Sequence, residues 1–287
     1  TLPGSNDLIG PIHPSDWIKI SASDYAACGI DENGAIFCDD NWDAAHVTHW
    51  NGLEGPWMDI TMASYHACAI KEDGSMVCVK SDADIDNQTE GTQSVDDSLI
   101  TIPSDNGTPI SDWIQVKATN NDSAIAFGQT CGLRENGELL CWGKDENGAD
   151  QVQPLVLSYE NSRWLDFDVF NNKGCGIDNQ YNINCWGDYP GQGSDENDLA
   201  DTQSEDGYLS VAVGDNHICA LSLNGEIHCF ENTSTPSSLS SVPTKTDGTP
   251  FGDWIAVKAG PAHTCREGRV WGQKSGPPAS ACTTPCR

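Results

Sequence analysis

Six short stretches of the chain alternate apolar and polar residues, and each opens on an aromatic side chain. Trp17 leads Ile18, Ile20 and Ala22; Trp57 leads Met58, Ile60 and Met62; Trp113 leads Ile114, Val116 and Ala118. Trp164 leads Leu165, Phe167 and Val169; Tyr208 leads Leu209, Val211 and Val213; Trp254 leads Ile255, Val257 and Ala259. Apolar residues at period two predict strands with one buried face, and these alternating residues are expected to form it. No helical periodicity of useful length accompanies them.

Hairpin signals follow the strands. Asn33-Gly34, Asp73-Gly74, Asn136-Gly137 and Asn224-Gly225 each lie between short apolar runs, with Gly supplying the positive φ of a turn or bulge. The fourth unit carries Asp178-Asn179-Gln180 without the Gly, so its turn is expected to differ. Each turn is flanked by two cysteines ten residues apart: Cys28 and Cys38, Cys68 and Cys78, Cys131 and Cys141, Cys175 and Cys185, Cys219 and Cys229. Folding about the turn sets the two cysteines opposite each other on neighbouring strands. Their Cα atoms then lie about 4.5 or 5.5 Å apart, within disulfide reach. The aromatic stands eleven residues before the first cysteine, except at Trp113, where an insertion around Asn120–Phe127 makes it eighteen. In the sixth unit the hairpin reads as shortened, with Val270 where the partner of Cys265 would be. Cys282 and Cys286 lie in the tail, and Cys265 is expected to pair with one of them.

Repetition at a fixed period marks a repeat architecture. The units begin near 17–56, 57–112, 113–163, 164–207, 208–253 and 254–287. An open stack would need polar caps, and none is visible, so a closed ring is preferred. The expected fold is all-β: a β-propeller of six blades, each of four antiparallel strands. It spans 1–287 as one domain, with 1–16 contributing to ring closure.

Charge and cysteine content then narrow the function. The net charge is −29, with 43 acidic against 14 basic residues. Such a surface repels phosphate backbones and anionic membranes, so nucleic-acid binding and membrane insertion are not expected. Thirteen cysteines in paired register argue for disulfides and an oxidising compartment. Zinc fits poorly, because no Cys-x-x-Cys knuckle gathers four ligands. No apolar stretch reaches the roughly 18 residues of a membrane-spanning helix. The chain starts at Thr1 without Met, as expected for a mature secreted protein or an excised fragment. The expected location is extracellular, secreted or attached to the cell surface.

The repeated signature combines the aromatic, the strand, a His-x-Cys-x-Leu element, the turn Gly and Cys-Trp-Gly. It stands at His217-Ile218-Cys219-Ala220-Leu221, Cys141-Trp142-Gly143 and Cys185-Trp186-Gly187, with a remnant at Trp271-Gly272-Gln273. This resembles the regulator-of-chromosome-condensation repeat family, over Trp17 to Gln273. The resemblance implies four-stranded propeller blades, normally seven in the eukaryotic members; six are visible here. The recurring second cysteine looks like a secreted, disulfide-containing bacterial-type branch. The nuclear member's chromatin binding and nucleotide exchange need basic contacts and an intracellular GTPase, which do not suit an acidic, disulfide-bonded chain. The resemblance also makes the column His66, His217 and His263 structural, one copy per blade.

Other candidates lie in the connections. Trp42, His46, His49 and Trp50 join the first two units; they read as an aromatic binding patch or as packing between blades, and two His alone are an incomplete metal set. The longest linker runs from Cys78 to Trp113. Its Asp82, Asp84, Asp86 and Glu90 resemble the start of a calcium loop, but Asn87 replaces its Gly and Gln93 its bidentate Glu, so a solvated acidic loop is the better fit. No other cofactor is expected. Asn87, Asn106, Asn121 and Asn232 begin glycosylation sequons. No nucleophile elbow, phosphate loop or zinc-protease motif occurs. The expected function is a non-enzymatic binding module that meets a protein partner through loops on one propeller face, including the inserts Ser81–Ser111 and Asn120–Phe127. The alternatives are a self-assembling structural subunit of an extracellular assembly or filament, and an enzyme with its site at the propeller mouth.

Overall fold

The computed structural model of the chain describes residues 17–23, 26–40, 55–63, 66–80, 101–120, 128–144, 150–154, 163–171, 173–187, 207–214, 217–231, 252, 254–260, 263–268 and 279–282. Among them are strands, turns and short connections, with no helix. The chain gathers into two compact units, Thr1–Leu155 and Val156–Arg287.

The first unit holds three sheets of consecutive antiparallel strands. β1 (Trp17–Ala22), β2 (Ala26–Asp31) and β3 (Ile36–Asp40) form the first, and β4 (Trp57–Met62), β5 (His66–Lys71) and β6 (Met76–Lys80) the second. The linker between Cys78 and Trp113 is not all loop: a small hairpin, β7 (Ser104–Asp105) and β8 (Thr108–Pro109), forms near its end. The third sheet follows, with β9 (Trp113–Asn120), β10 (Gly128–Arg134), β11 (Leu139–Lys144) and a fourth strand, β12 (Asp150–Pro154).

The second unit repeats the plan. Its sheets are β13 (Trp164–Phe170), β14 (Lys173–Asp178) and β15 (Ile183–Trp186); β16 (Tyr208–Val213), β17 (His217–Ser222) and β18 (Ile227–Glu231); and β19 (Trp254–Gly260), β20 (His263–Gly268) and β21 (Ala279–Cys282). Six sheets therefore match the six units of the sequence. The fourth strand of a blade is described only in the third.

In each unit the core lies between successive sheets. Cys28 and Ile30 of the first sheet pack on Trp57, Ile60, Ala67 and Ala69 of the second. Ile70 and Met76 pack on Trp113 and Val116 of the third. In the second unit, Ile177 and Ile183 meet Tyr208 and Val211, while Leu221 and Ile227 meet Val257. A sheet that is apolar on both faces must be covered on both, which is why successive sheets within a unit stack.

All five hairpin disulfides form: Cys28–Cys38, Cys68–Cys78, Cys131–Cys141, Cys175–Cys185 and Cys219–Cys229, with Cα atoms 4.0–4.1 Å apart. Each cysteine faces its partner directly in the strand register. The separation is shorter than the 4.5 Å expected and belongs to a narrow, non-hydrogen-bonded pair. The two sulfurs of a bridge differ in surroundings. Cys28, Cys68, Cys131, Cys175 and Cys219, on the middle strands, are buried. Cys38, Cys78, Cys185 and Cys229, on the third strands, are half-buried and pack against the edge of the neighbouring core; Cys78 does so beside Trp113 and Val116. Cys141 is buried, and its strand alone is covered by a described fourth strand, β12.

Three expectations from the sequence need correction. First, the alternating residues do not all lie on the buried face. In every sheet the residue after the aromatic is skipped in the pairing, as where Trp57 opposes Lys71 and Asp59 opposes Ile70. This β-bulge shifts the phase by one. The aromatic thus shares a face with the third residue after it, and the first residue after it points out. Ile18, Met58, Ile114, Leu165, Leu209 and Ile255 are all exposed, at 37–57 %. Ile20 is exposed as well.

Second, the fourth turn does not differ. Tyr181 takes φ +65°, the conformation of Gly34, Gly74, Gly137 and Gly225 in the other turns. Its N–H donates to Asp178 O at 2.9 Å, as Gly34 N–H donates to Asp31 O. The short side-chain cap described below fixes the turn, so a non-glycine residue is carried into it.

Third, the sixth hairpin is not shortened. β20 pairs with β21 and sets the backbone of Cys265 opposite Cys282, the register of the five bridged pairs. Register is kept and spacing is not.

Candidate interaction surface

The rim of each unit is built where a turn meets the start of a strand. In the first turn the Asp31 carboxylate accepts from the N–H groups of Asn33 and Ala35, at 2.9 and 2.8 Å. Burial pushes this carboxyl up, but the hydrogen bonds from Ala35 and Asn33 outweigh it and hold it below the usual range. Asp178 caps its turn through Gln180 and Asn182 in the same way. Asp73, Asn136 and Asn224 cap from within the turn, onto Ser75, Glu138 and Glu226. These are the local side-chain caps that Asp and Asn favour.

Four of the five capped turns hold the next sheet of their own unit. Trp57 N–H donates to Gly34 O, Trp113 N–H to Gly74 O, Tyr208 N–H to Tyr181 O and Trp254 N–H to Gly225 O, at 2.9–3.1 Å. The turn also touches the start of its own sheet, since Glu72 N–H donates to Pro56 O and Glu135 N–H to Asp112 O. Met58, Ile114 and Leu209, each beside its aromatic, therefore stand between two turns. In the first unit those turns carry exposed Glu32, Glu72, Asp73 and Glu135. In the second they carry Tyr181 and Leu223, exposed at 42 and 45 %.

Beneath the bulge the aromatic needs room. A Cβ on Gly132 would lie 2.6 Å from the Trp113 ring, and one on Gly29 would lie 2.5 Å from the Trp17 ring. The ring is then met from the third strand, by Trp142 on Trp113 at 5.6 Å and Trp186 on Trp164 at 5.8 Å. In the fifth sheet Tyr208 takes the place of Trp, and its hydroxyl bonds His228 Nδ1 at 3.1 Å. Burial pushes this phenol up to about 12.

The first strands of the second, third and fifth sheets have an open edge, and side chains of the preceding sheet cover it. Ser21 Oγ accepts from Met62 N–H, Thr61 Oγ1 from Ala118 N–H and Asp168 Oδ2 from Val213 N–H, at 2.8–2.9 Å. Asp59 does most. It is buried, accepts from Val116 N–H at 2.8 Å, and pairs with Lys19 Nζ at 2.6 Å. One carboxylate thus joins three sheets. Such clasps satisfy edge N–H groups that would otherwise invite foreign strands.

Two further groups fix the third sheet. Arg134 bonds Asp112 and Glu138 at 2.8 and 2.6 Å and reaches Asp105 of the β7–β8 hairpin at 3.2 Å. The hydrogen bond to Asp112, aided by Glu138 and opposed by burial, raises the guanidinium pKa further. His66 is fully buried, with Nε2 2.9 Å from Thr130 Oγ1, and burial lowers its pKa to about 4. A neutral, buried histidine linking two sheets fits the structural reading of its column.

The other sequence candidates lie mostly elsewhere. Trp42, His46, His49 and Trp50 are outside the described residues, as are Asp82, Asp84, Asp86, Glu90 and Cys286. So are Asn87, Asn121, Asn232, residues 1–16 and most of both inserts. Asn106 is described: it is exposed at the tip of the β7–β8 hairpin, with φ +51° before Gly107 at +82°. Among the described residues no His, Cys, Asp and Glu gather as a metal site, and no helix is long and apolar enough to cross a membrane. The exposed bulge residues escaped the sequence reading. Their signal was there: an aromatic and residues three and five places later cannot share a face of a regular strand, so one residue must bulge.

No family model matches the chain, and no curated sequence does. Solved structures do. A chain in the crystal structure of Kap60 bound to yeast RCC1 (Prp20) is 13 % identical with a TM-score of 0.57, over 87 % of this chain and 67 % of that one. Human WBSCR16 is 13 % identical with a TM-score of 0.59, over 88 % and 72 %. The ectodomain of the Physcomitrella patens receptor kinase CR4 is 18 % identical with a TM-score of 0.52; 93 % of this chain matches 61 % of that longer one. With the repeated sheets, turns and registers, these likenesses show that the chain has the β-propeller fold of the regulator-of-chromosome-condensation repeat proteins.

Proposed function

We propose that the chain is a non-enzymatic protein-binding module that works outside the cell, secreted or attached to its surface. The observation that carries this reading is the bulge column. Six exposed aliphatic side chains recur at the same structural position, beside the capped turns. Scattered apolar residues need no explanation, but a repeated set presented by a rigid scaffold is the chemistry of a contact surface. The five disulfides support an oxidising location. A receptor-kinase ectodomain with a similar fold supports the same reading. With this proposal goes the expectation that 1–287 is one propeller domain whose inserts 81–111 and 120–127 add to the contact surface.

The test is saturable capture. The oxidised chain, immobilised, is offered extracellular and cell-surface protein fractions from its source. Retention of a protein that competes with free chain and is lost after reduction and unfolding is the expected result. Turnover of a substrate without any saturable protein binding would replace this reading with an enzymatic one.

A further inference from the structure

The two units present the same bulge column in different company. In the second unit the turns between bulges add Tyr181 and Leu223, both apolar or aromatic and exposed. In the first unit the turns add carboxylates. Reading along its rim, Glu32 of the first turn precedes Met58, Glu72 and Asp73 of the second precede Ile114, and Glu135 of the third follows. The order is fixed by hydrogen bonds already described: Trp57 is tied to Gly34, Trp113 to Gly74, and Glu72 and Glu135 to the residues just before the aromatics.

The cations nearest this rim are occupied. Lys71 Nζ lies over the Trp57 ring at 5.2 Å, Lys19 pairs with buried Asp59, and Arg134 is shared among three carboxylates. Among the described residues no cation pairs with Glu32, Glu72 or Glu135. Lys71 partly offsets Asp73, but the alternation of aliphatic and anionic groups leaves the rim net acidic among the described residues, a surface complementary to alternating aliphatic and cationic groups.

We propose that the turn rim of the first unit, with Met58 and Ile114 set between the Glu32, Glu72 and Glu135 turns, docks an extended partner segment in which apolar residues alternate with Lys or Arg. The inference rests on the binding-module reading and names the partner chemistry for it. The aliphatic bulges supply contact area, and the carboxylates fix orientation and exclude acidic segments. Because the bulge residues lie outside the strand ladder, they can meet a partner without disturbing the sheet.

The probe is a capped synthetic peptide of alternating leucine and lysine, with leucine–glutamate and serine–lysine peptides for comparison. Binding to the full oxidised chain is measured by fluorescence anisotropy at low and at physiological salt. The leucine–lysine peptide is expected to bind, the serine–lysine peptide roughly tenfold or more weaker, and the leucine–glutamate peptide not at all. Met58→Ser with Ile114→Ser should weaken binding by about tenfold. Glu32→Gln, Glu72→Gln and Glu135→Gln together should weaken it and flatten its salt dependence. Leu165→Ser with Leu209→Ser, in the second unit, should weaken it by less than the first-unit pair does.

A protein this acidic attracts cationic peptides without any site, so the variants decide. If the first-unit variants bind the leucine–lysine peptide as tightly as the unaltered chain, the inference is wrong. Continued capture of a natural partner by those same variants would then leave the binding-module reading standing. Loss of both peptide binding and natural capture in the unaltered chain would remove the two together.

Discussion

Trp57 donates its backbone N–H to the carbonyl oxygen of Gly34 at 2.9 Å, so the turn of one sheet holds the first residue of the next. The third sheet is held to the second in the same way, through Trp113 and Gly74. A Cβ on Gly74 would meet Ser111 O at 2.5 Å, and its φ of +79° disfavours any side chain. Gly74→Ala should therefore cost about 2–3 kcal/mol, from turn strain and a displaced neighbour. Urea unfolding measures it; an unchanged midpoint would mean that the turn and the next sheet are not tightly coupled.

The fourth turn runs the same experiment in reverse. Tyr181 sits at φ +65° where its counterparts are glycine. Tyr181→Gly should stabilise the chain by roughly 0.5–1 kcal/mol, the relief of strain less the added freedom of the unfolded glycine. Tyr181→Ala keeps the strain and should give no gain. Comparing the two midpoints separates backbone relief from the loss of an exposed ring.

Asp59 makes a prediction of a different size. Asp59→Ala leaves the Val116 N–H and Lys19 without their acceptor, and should cost about 3 kcal/mol. Asp59→Asn retains an acceptor for Val116 and should cost less. Equal losses in the two variants would show that the charge on Asp59, and not its hydrogen bond, holds the three sheets.

Much of this was legible in the residues. The hairpin register followed from Cys131 and Cys141 flanking Asn136-Gly137, and from Cys68 and Cys78 flanking Asp73-Gly74, because a turn with defined geometry leaves only one way to face them. The phase of the first strands was not. Period-two alternation placed Ile18 and Met58 inward, and only the buried Trp57 position and its counterparts expose the conflict. Asp59 and Ser21 were also unreadable, since their partners are backbone N–H groups of another sheet, which no side-chain pattern announces. Cys282 could not be told from Cys286 as the register partner, because the interval from Cys265 departs from ten.

Acid should loosen the contact between the second and third sheets. Folded His66 takes up its proton only near pH 4, whereas in the unfolded chain it does so near 6.5. Between those values the unfolded state binds more protons. The stability from neutral His66 is thus complete above pH 6.5 and is lost as pH falls towards 4, by about 3 kcal/mol in all. His66→Gln should flatten that slope in unfolding measured from pH 7 to about 4. Asp31, held below the usual carboxylate range, adds a loss of the same sign at lower pH.

Peptide mapping under non-reducing conditions should recover the five hairpin pairs and a sixth, Cys265 with Cys282. The backbone register places those two opposite each other. Cys286 is then the odd one of thirteen. Cys265 bridged to Cys286 would overturn this assignment. Chains that separate only on reduction would favour the covalent extracellular assembly.

The link from Trp57 back to Gly34 spans little of the chain, and so do its counterparts at Trp113, Tyr208 and Trp254. Every inter-sheet tie of this kind joins a strand to a turn made shortly before it. Low contact order of this sort favours rapid folding. As the chain emerges, a finished hairpin can offer a waiting carbonyl to the strand that follows it in the same unit, so assembly within each unit can run sheet by sheet without waiting for distant segments.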